Sequence, residues 1–179
     1  MGDSPQEEEA ADPDSSDLVT ADEGIPHLHR SWDGSKVVEE TRHCTNYTYY
    51  VSSIIPFVDI IRWWVVSGWQ AKEDRLVVNG TANIILCDGA RLYCKDGIYV
   101  PTGATLNIYC QSGGTGILYC DADTNDNAAI GGNNESGGCG TINIYGGMIT
   151  ADTNTDGTAG AGIGGGDEVN GGNVTIYGG

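Results

Sequence analysis

Two short motifs recur at nearly the same interval in the second half of this 179-residue chain. Ala-Ala-Ile-Gly-Gly at residues 128–132 returns as Ala-Gly-Ile-Gly-Gly at residues 161–165. Ile-Asn-Ile-Tyr-Gly-Gly at residues 142–147 returns as Val-Thr-Ile-Tyr-Gly-Gly at residues 174–179. Similarity at a fixed interval of this size indicates stacked structural repeats, in which each repeat contacts only its neighbours. The chain is therefore predicted to form an elongated repeat structure.

Two earlier copies extend the repeat toward the amino terminus. Leu-Asn-Ile-Tyr at residues 106–109 is a third copy, and Ile-Ile-Leu-Cys at residues 84–87 is a degenerate fourth. Each copy precedes two more short apolar segments, the first near Leu92, Leu118 and Ile149, and the second near Ile98, Ile130 and Ile163. We predict an all-β fold, a right-handed parallel β-helix with three short strands per turn. About three turns and the start of a fourth are expected.

Composition divides the chain into three regions. Residues 1–24 are acidic and hold few large apolar groups, which predicts a disordered tail. Residues 25–80 contain all four tryptophans and the only phenylalanine, and they are predicted to form a β-rich cap over the end of the stack. Strands are expected in this cap at residues 63–66 and 76–78, joined by a loop. Residues 81–179 are predicted to be the β-helix repeats, with an incomplete last turn.

Alternation within the repeated strands sorts the side chains into inward and outward columns. The inward columns are aliphatic, and burial of each side chain is worth roughly 1.5 to 3 kcal/mol. Two such columns are predicted, one with Ile84, Leu106, Ile142 and Val174, and the next with Leu86, Ile108, Ile144 and Ile176. On the second strand of each turn, Cys94 and Cys120 stand where Ala151 also stands, which indicates small buried thiols.

Outward-facing aromatic residues are the main candidates for a binding site. Aromatic faces about 4.8 Å apart on a flat sheet can stack sugar rings or contact a protein, and they can also stack only on one another. Both interpretations stay open at this point. The candidate ligand-binding residues are Tyr93, Tyr109, Tyr119, Tyr145, Tyr177, Asn107 and Asn143, with Cys87 expected at the start of the Tyr109 column.

Carboxylates in the glycine-rich loops form a second group of candidates. Spaced carboxylates on turns can bind Ca²⁺ through their oxygen atoms. Both the EF-hand spacing and the Gly-Gly-x-Gly-x-Asp calcium motif are absent, so solvated turn residues are the favoured interpretation. No cofactor is expected apart from this Ca²⁺ alternative. The candidate metal ligands are Asp121, Asp123, Asp126, Asp152 and Asp156.

Charge is distributed unevenly along the chain. The formal net charge is −17, and all eight Lys and Arg residues lie at or before Lys95. A face without cations does not neutralise phosphates, sulfates or uronates, which argues against nucleic acid and acidic polysaccharides as partners of the repeats. Neutral glycans and other proteins remain as partners. No apolar run is long enough for membrane insertion.

Several runs of residues resemble a recurrent module of bacterial surface proteins. The similar runs are residues 31–34, 44–45, 64–68, 83–89 and 111–116, together with the Ala-Gly-Ile-Gly-Gly and Ile-Tyr-Gly-Gly repeats. The family is that of secreted or cell-surface parallel β-helix repeat proteins, which are often labelled carbohydrate-binding. The resemblance implies a fold and an extracellular or cell-surface location, and it supplies no catalytic motif.

The function expected from these features is that of a non-enzymatic secreted or cell-surface β-helix module. It would bind a neutral glycan or a protein partner, or serve as an adhesin or stalk. The alternative is a carbohydrate-active enzyme of the glycoside hydrolase type that uses loop carboxylates. No carboxylate pair stands out in the sequence, so no catalytic residue is assigned. End-to-end self-association through an open last turn is a further expectation.

Overall fold

The chain is all-β throughout the residues that its computed structural model describes, which are 23–51, 62–122, 126–134, 137–153 and 160–179. The predictions of an all-β fold and of parallel strand pairing are confirmed. Within these ranges no helix is long and apolar enough to cross a membrane. The expected disordered tail lies outside the described residues, apart from its last two positions.

All described strands except β1 and β2 belong to three parallel sheets. The first sheet contains, as successive neighbours, β3 (Thr48–Tyr49), β4 (Arg62–Val66), β7 (Thr81–Leu86), β10 (Thr105–Cys110), β13 (Thr141–Ile144) and β16 (Asn173–Ile176). The second contains β5 (Trp69–Lys72), β8 (Arg91–Cys94), β11 (Ile117–Ala122) and β14 (Met148–Thr153). The third contains β6 (Leu76–Val77), β9 (Ile98–Tyr99), β12 (Ile130–Gly131) and β15 (Ile163–Gly164).

The chain visits the three sheets in rotation. From β4 onward, each strand pairs with the strand three places later, as β4 with β7, β5 with β8 and β6 with β9. Residues 62–77, which were expected in the cap, therefore pair in the same sheets as the repeats. The predicted loop between residues 66 and 76 is wrong, because β5 lies there. β5 has Gln70 and Lys72 where β8 has Leu92 and Cys94, so it lacks the apolar alternation that marks a strand.

The strand registers agree with the predicted columns in two of the sheets. In the second sheet Leu118 is opposite Leu92 and Ile149, and in the third sheet Ile130 is opposite Ile98 and Ile163. These columns are confirmed.

The first sheet differs from the prediction at β7. Ile84 is opposite Ile108, and Ala82 is opposite Leu106, so the predicted β7 register was wrong by two residues. A shift of two keeps every side chain on the same face of the sheet, which is why alternation could not detect it. Ile85, and not Cys87, therefore precedes Tyr109 in the outward column.

The inward side chains of all three sheets form one apolar cluster. Its members include Ile84, Leu106 and Ile142 from the first sheet, Leu92 and Leu118 from the second, and Ile98 and Ile130 from the third, all fully buried. The recurring Ile-Gly pair has a steric cause. Gly131 lies opposite Gly164 with φ +145°, and a Cβ added there would lie 1.8 Å from the Gly164 carbonyl oxygen. Only glycine fits such an approach.

β1 (Ile25–Trp32) and β2 (Val37–Cys44) form an antiparallel hairpin. Asp33 Oδ1 closes the turn by accepting hydrogen bonds from the backbone N–H groups of Ser35 and Lys36, at 2.8 and 2.9 Å. The hairpin packs on the outer face of the first sheet, where Ile25 joins Val65 and Ile85 in a second apolar cluster. This part of the expected cap therefore lies beside the stack and not over its end.

Candidate ligand-binding face

The two predicted tyrosine columns have different surroundings. Tyr109, Tyr145 and Tyr177 project from the outer face of the first sheet, which the hairpin partly covers. Tyr93 and Tyr119 project from the outer face of the second sheet, where they are half-buried. The structure therefore separates the predicted binding residues into two groups.

The covered column is a stack of parallel rings. The Tyr109 and Tyr145 ring centroids are 4.4 Å apart with planes 3° apart, and those of Tyr145 and Tyr177 are 5.2 Å apart. His27 and His29 of β1 lie against Tyr109 and Tyr145 at 5.0 Å each. Tyr109 is only 5% exposed, so its prediction as part of an exposed column was wrong. Burial raises the pKa of its phenol.

The predicted binding asparagines form a ladder with one another. Asn107 donates from Nδ2 to Asn83 Oδ1, and Asn143 donates from Nδ2 to Asn107 Oδ1, both at 2.8 Å. Parallel, in-register pairing places identical side chains at equivalent positions on adjacent strands, which is the geometry of amide ladders. Asn107 is buried, and it contacts its neighbours instead of solvent. Its prediction as an exposed binding residue was wrong for this reason.

The outer face of the second sheet carries two adjacent columns of outward-facing side chains, which are half-buried or exposed. Strand register places Tyr93 and Tyr119 between Ala71 and Thr150 in one column. The other column contains Trp69, Arg91, Ile117 and Met148, and the indole of Trp69 is 68% exposed. Sequence reasoning missed this second column. The sequence does contain a pattern that predicts this column. Ile117 and Met148 each directly precede an inward aliphatic residue, so alternation along the strand requires them to point outward.

Tyr93 and Tyr119 form a tilted pair on this face. Their ring centroids are 5.2 Å apart with planes at 31°. The Tyr119 hydroxyl donates to Asp152 Oδ2 at 3.4 Å. Partial desolvation and the neighbouring Asp121 carboxylate raise the pKa of both phenols above the ordinary value of about 10. Both hydroxyls are therefore protonated at neutral pH and can donate hydrogen bonds.

A groove of about 420 Å³ lies beside Tyr93. Its lining residues are Glu73, Asp74, Arg75, Tyr93, Lys95, Asp96 and Asp121. The Lys95 ammonium is 2.9 Å from the Glu73 carboxylate. The Arg75 guanidinium donates to the backbone oxygens of Asp96 and Ala128, at 2.6 and 2.7 Å. Its hydrogen-bond donors are therefore used within the protein. Both groove cations are thus engaged within the protein, while four carboxylates line the same space.

The predicted metal ligands are dispersed among these features. Asp121 lines the groove, Asp152 accepts the Tyr119 hydrogen bond, and the backbone oxygen of Asp126 accepts from the Asp167 N–H at 2.9 Å. Among the described residues, no group of three or more His, Cys, Asp or Glu side chains is placed to hold a metal ion. Asp123 and Asp156 lie outside those residues. The Ca²⁺ site therefore stays a prediction.

The cysteines of the second sheet are buried, as predicted. Cys94 and Cys120 are in register and fully buried within the apolar cluster. Burial raises the pKa of the Cys120 thiol well above its ordinary value. These thiols therefore act as small apolar side chains of the core and not as nucleophiles.

Comparisons with protein-family models, curated proteins and solved structures found no match to this chain. The resemblance to bacterial surface β-helix proteins thus stays a prediction. Functional inference rests on the geometry of the second-sheet face and its groove.

Proposed function

We propose that this chain is a right-handed parallel β-helix module that binds a neutral glycan on the outer face of its second sheet and catalyses no reaction. The observation that carries the proposal is the half-buried Tyr93–Tyr119 pair, which lies beside a carboxylate-lined groove and on the same sheet face as the exposed Trp69. A secreted or cell-surface location, with the module acting as an adhesin or stalk, belongs to the same proposal.

The β-helix part of the proposal is supported by the order of the strands. Three successive strands enter three different parallel sheets before the next strand returns to the first. A chain that winds as a β-helix passes through three sheets in this order with short connections between the strands. The right hand is favoured because crossover connections between parallel strands are right-handed in about 98% of cases.

The glycan part of the proposal is supported by the chemistry of the face. Exposed aromatic rings offer apolar surfaces on which a sugar ring can stack. The Asp121 and Glu73 carboxylates at the groove can accept hydrogen bonds from sugar hydroxyls. Trp69 and Met148 lie on the same outer face, on the first and last strands of the sheet. This face is therefore wide enough for more than one sugar unit.

Charge supports a neutral ligand over an acidic one. Glu73, Asp74, Asp96 and Asp121 line the groove, and both nearby cations already contact protein groups. An anionic sugar would meet repulsion there, and the repulsion would weaken as salt screens the charges.

The proposal is tested by glycan-array screening followed by calorimetry with the best ligand. Wild-type protein should bind neutral oligosaccharides, and the Tyr93→Ala, Tyr119→Ala double variant should lose at least about tenfold in affinity, which corresponds to about 1.4 kcal/mol. Tyr177→Ala is the matched control, because it removes a tyrosine from the other sheet and should retain binding. Unchanged affinity in the double variant, or a wild-type preference for uronate-containing glycans, would overturn the proposal.

The four carboxylates of the groove favour one alternative, a glycoside hydrolase. The same incubations are therefore assayed for new reducing ends. Under the binding proposal none form. Release of reducing ends by wild-type protein that disappears in Asp121→Asn, with binding retained, would identify the enzyme instead.

A further inference from the structure

The hairpin of β1 and β2 lies as a separate layer on the first sheet. The backbones of β1 and β2 pair only with each other among the described strands, and they join none of the three parallel sheets. The hairpin is held by side chains. Arg30 donates from Nη1 to the Tyr145 carbonyl oxygen, and Ile25 packs with Val65 and Ile85. An element attached in this way can separate without breaking the ladders of the sheets.

Two imidazoles lie in the contact between the hairpin and the sheet. The His27 ring is 4.8 Å from the Trp63 ring and 5.0 Å from the Tyr109 ring, and its side chain is 3% exposed. The His29 ring stacks on Tyr145 at 5.0 Å. The aromatic stack of the first sheet is thus covered by two groups that gain a proton in mild acid.

We propose that the hairpin is a proton-sensitive cover, which docks on the first sheet at neutral pH and releases in mild acid to uncover the Tyr109 and Tyr145 rings.

The groups around the imidazoles favour their neutral form. Burial has the largest effect on His27 and opposes a charge, whereas the Ile25 carbonyl oxygen beside its Nδ1 favours one. His29 of β1, together with Arg42 and His43 of β2, disfavours a charge on His27. Glu40 is opposite His29 and favours a charge there, although burial has the larger effect. The first sheet contributes Tyr109 and Tyr145, which are protonated and neutral. The only carboxylate among these groups therefore lies opposite His29, and none lies opposite His27.

The sign of the pH dependence follows from these surroundings. Burial lowers the pKa of His27 and of His29 in the docked hairpin, whereas a released hairpin returns both toward the ordinary value of about 6.5. The released state consequently binds protons more tightly. Docking is fully favourable above pH 6.5 and weakens as the pH falls through 6.5 toward the lowered values, by about tenfold for each unit of pKa difference at one imidazole.

Hydrogen exchange of the whole chain at pH 7.5 and pH 5.5, corrected for intrinsic rates, tests the cover. Amides of the hairpin should lose protection at pH 5.5, by up to about tenfold for each imidazole, because an imidazole with the ordinary pKa of about 6.5 is about nine-tenths protonated there. Amides of β7, β8 and β10 should keep theirs. His27→Phe retains an aromatic ring without a titrating group. In this variant the loss of hairpin protection between pH 7.5 and pH 5.5 should be smaller than in wild type. Thr41→Ala, at an exposed position of β2 without a titrating group, is the control and should behave as wild type.

Three results would refute the proposal that the hairpin is a proton-sensitive cover. They are equal hairpin protection at both pH values, an undiminished response in His27→Phe, and parallel loss in the β7, β8 and β10 amides, which indicates global unfolding. A titration of the His27 imidazole by NMR in wild-type protein keeps the test independent of the variants. A docked hairpin whose His27 titrates at the ordinary pKa would also refute the proposal.

Discussion

Asn83, Asn107 and Asn143 show how a residue that resembles a binding group can be structural. The strand register places the three amides on adjacent strands, and the Asn107 amide bonds to both neighbours. A buried amide that loses its partner retains its desolvation penalty without compensation. The ladder therefore stabilises the outer face of the first sheet and leaves Asn107 unavailable to a ligand.

Asn107→Ala should lower the free energy of unfolding by about 1 to 3 kcal/mol, because it removes both ladder bonds and leaves two neighbouring amides without this partner. Urea unfolding followed by circular dichroism measures the change. Asn173→Ala, at an exposed position of β16, serves as the control and should shift stability by no more than about 0.5 kcal/mol. Equal stability of the two variants would contradict the structural role of the ladder.

Among the structural elements, two short strands of the third sheet, β12 and β15, depend on glycine. β12 and β15 are two residues each, and their backbones approach at Gly131 and Gly164. Their recurring sequence is therefore explained by steric fit between these adjacent strands.

Gly131→Ala should destabilise the protein by more than about 2 kcal/mol, because the added methyl group overlaps the Gly164 carbonyl and the backbone has φ +145°. Gly103→Ala separates the steric overlap from the strain of the positive-φ backbone. Gly103 has φ +87° with nothing within 4 Å of an added Cβ, so it should show the backbone effect alone, about 1 kcal/mol. Similar losses in both variants, measured from denaturant midpoints, would show that the close approach is absent in solution.

For the whole molecule, the face formed by β14, β15 and β16 is notable for its apolar surface. Ile176 is 62% exposed, whereas its in-register neighbour Ile144 is buried. A cavity of about 420 Å³ there has Ile144, Ile149, Ile163 and Ile176 in its lining. On this side β14, β15 and β16 pair with no other described strand. Exposed apolar surface next to such strand edges favours association with another strand.

We expect self-association through this face at high protein concentration, and Ile176→Lys should reduce it. Light scattering over a concentration series is the measurement. Added salt should promote association, because it screens the repulsion between chains of net charge −17. Val37→Lys is the control, since it adds the same charge at an exposed apolar position of the hairpin. A strict monomer at every concentration, or equal effects of the two lysines, would exclude this face as the contact.

The sequence by itself determined which side chains of the repeats point inward, including Leu118, Cys120 and Ile130, because alternation along a strand is a local property. It also determined that parallel strands stack, because equivalent residues recur at a fixed interval. Neither property fixes a register to better than two residues, and the β7 register was wrong by that amount.

Only the tertiary structure decided which tyrosine column is covered. Tyr109 and Tyr119 occupy equivalent outward positions in neighbouring strands, and no local pattern distinguishes them. The difference arises because His27 and Ile25, which are about eighty residues earlier in the chain, pack on one sheet and not on the other. Such long-range contacts depend on how complete surfaces fit together, so the sequence identified the aromatic columns while packing determined which of them a ligand can reach.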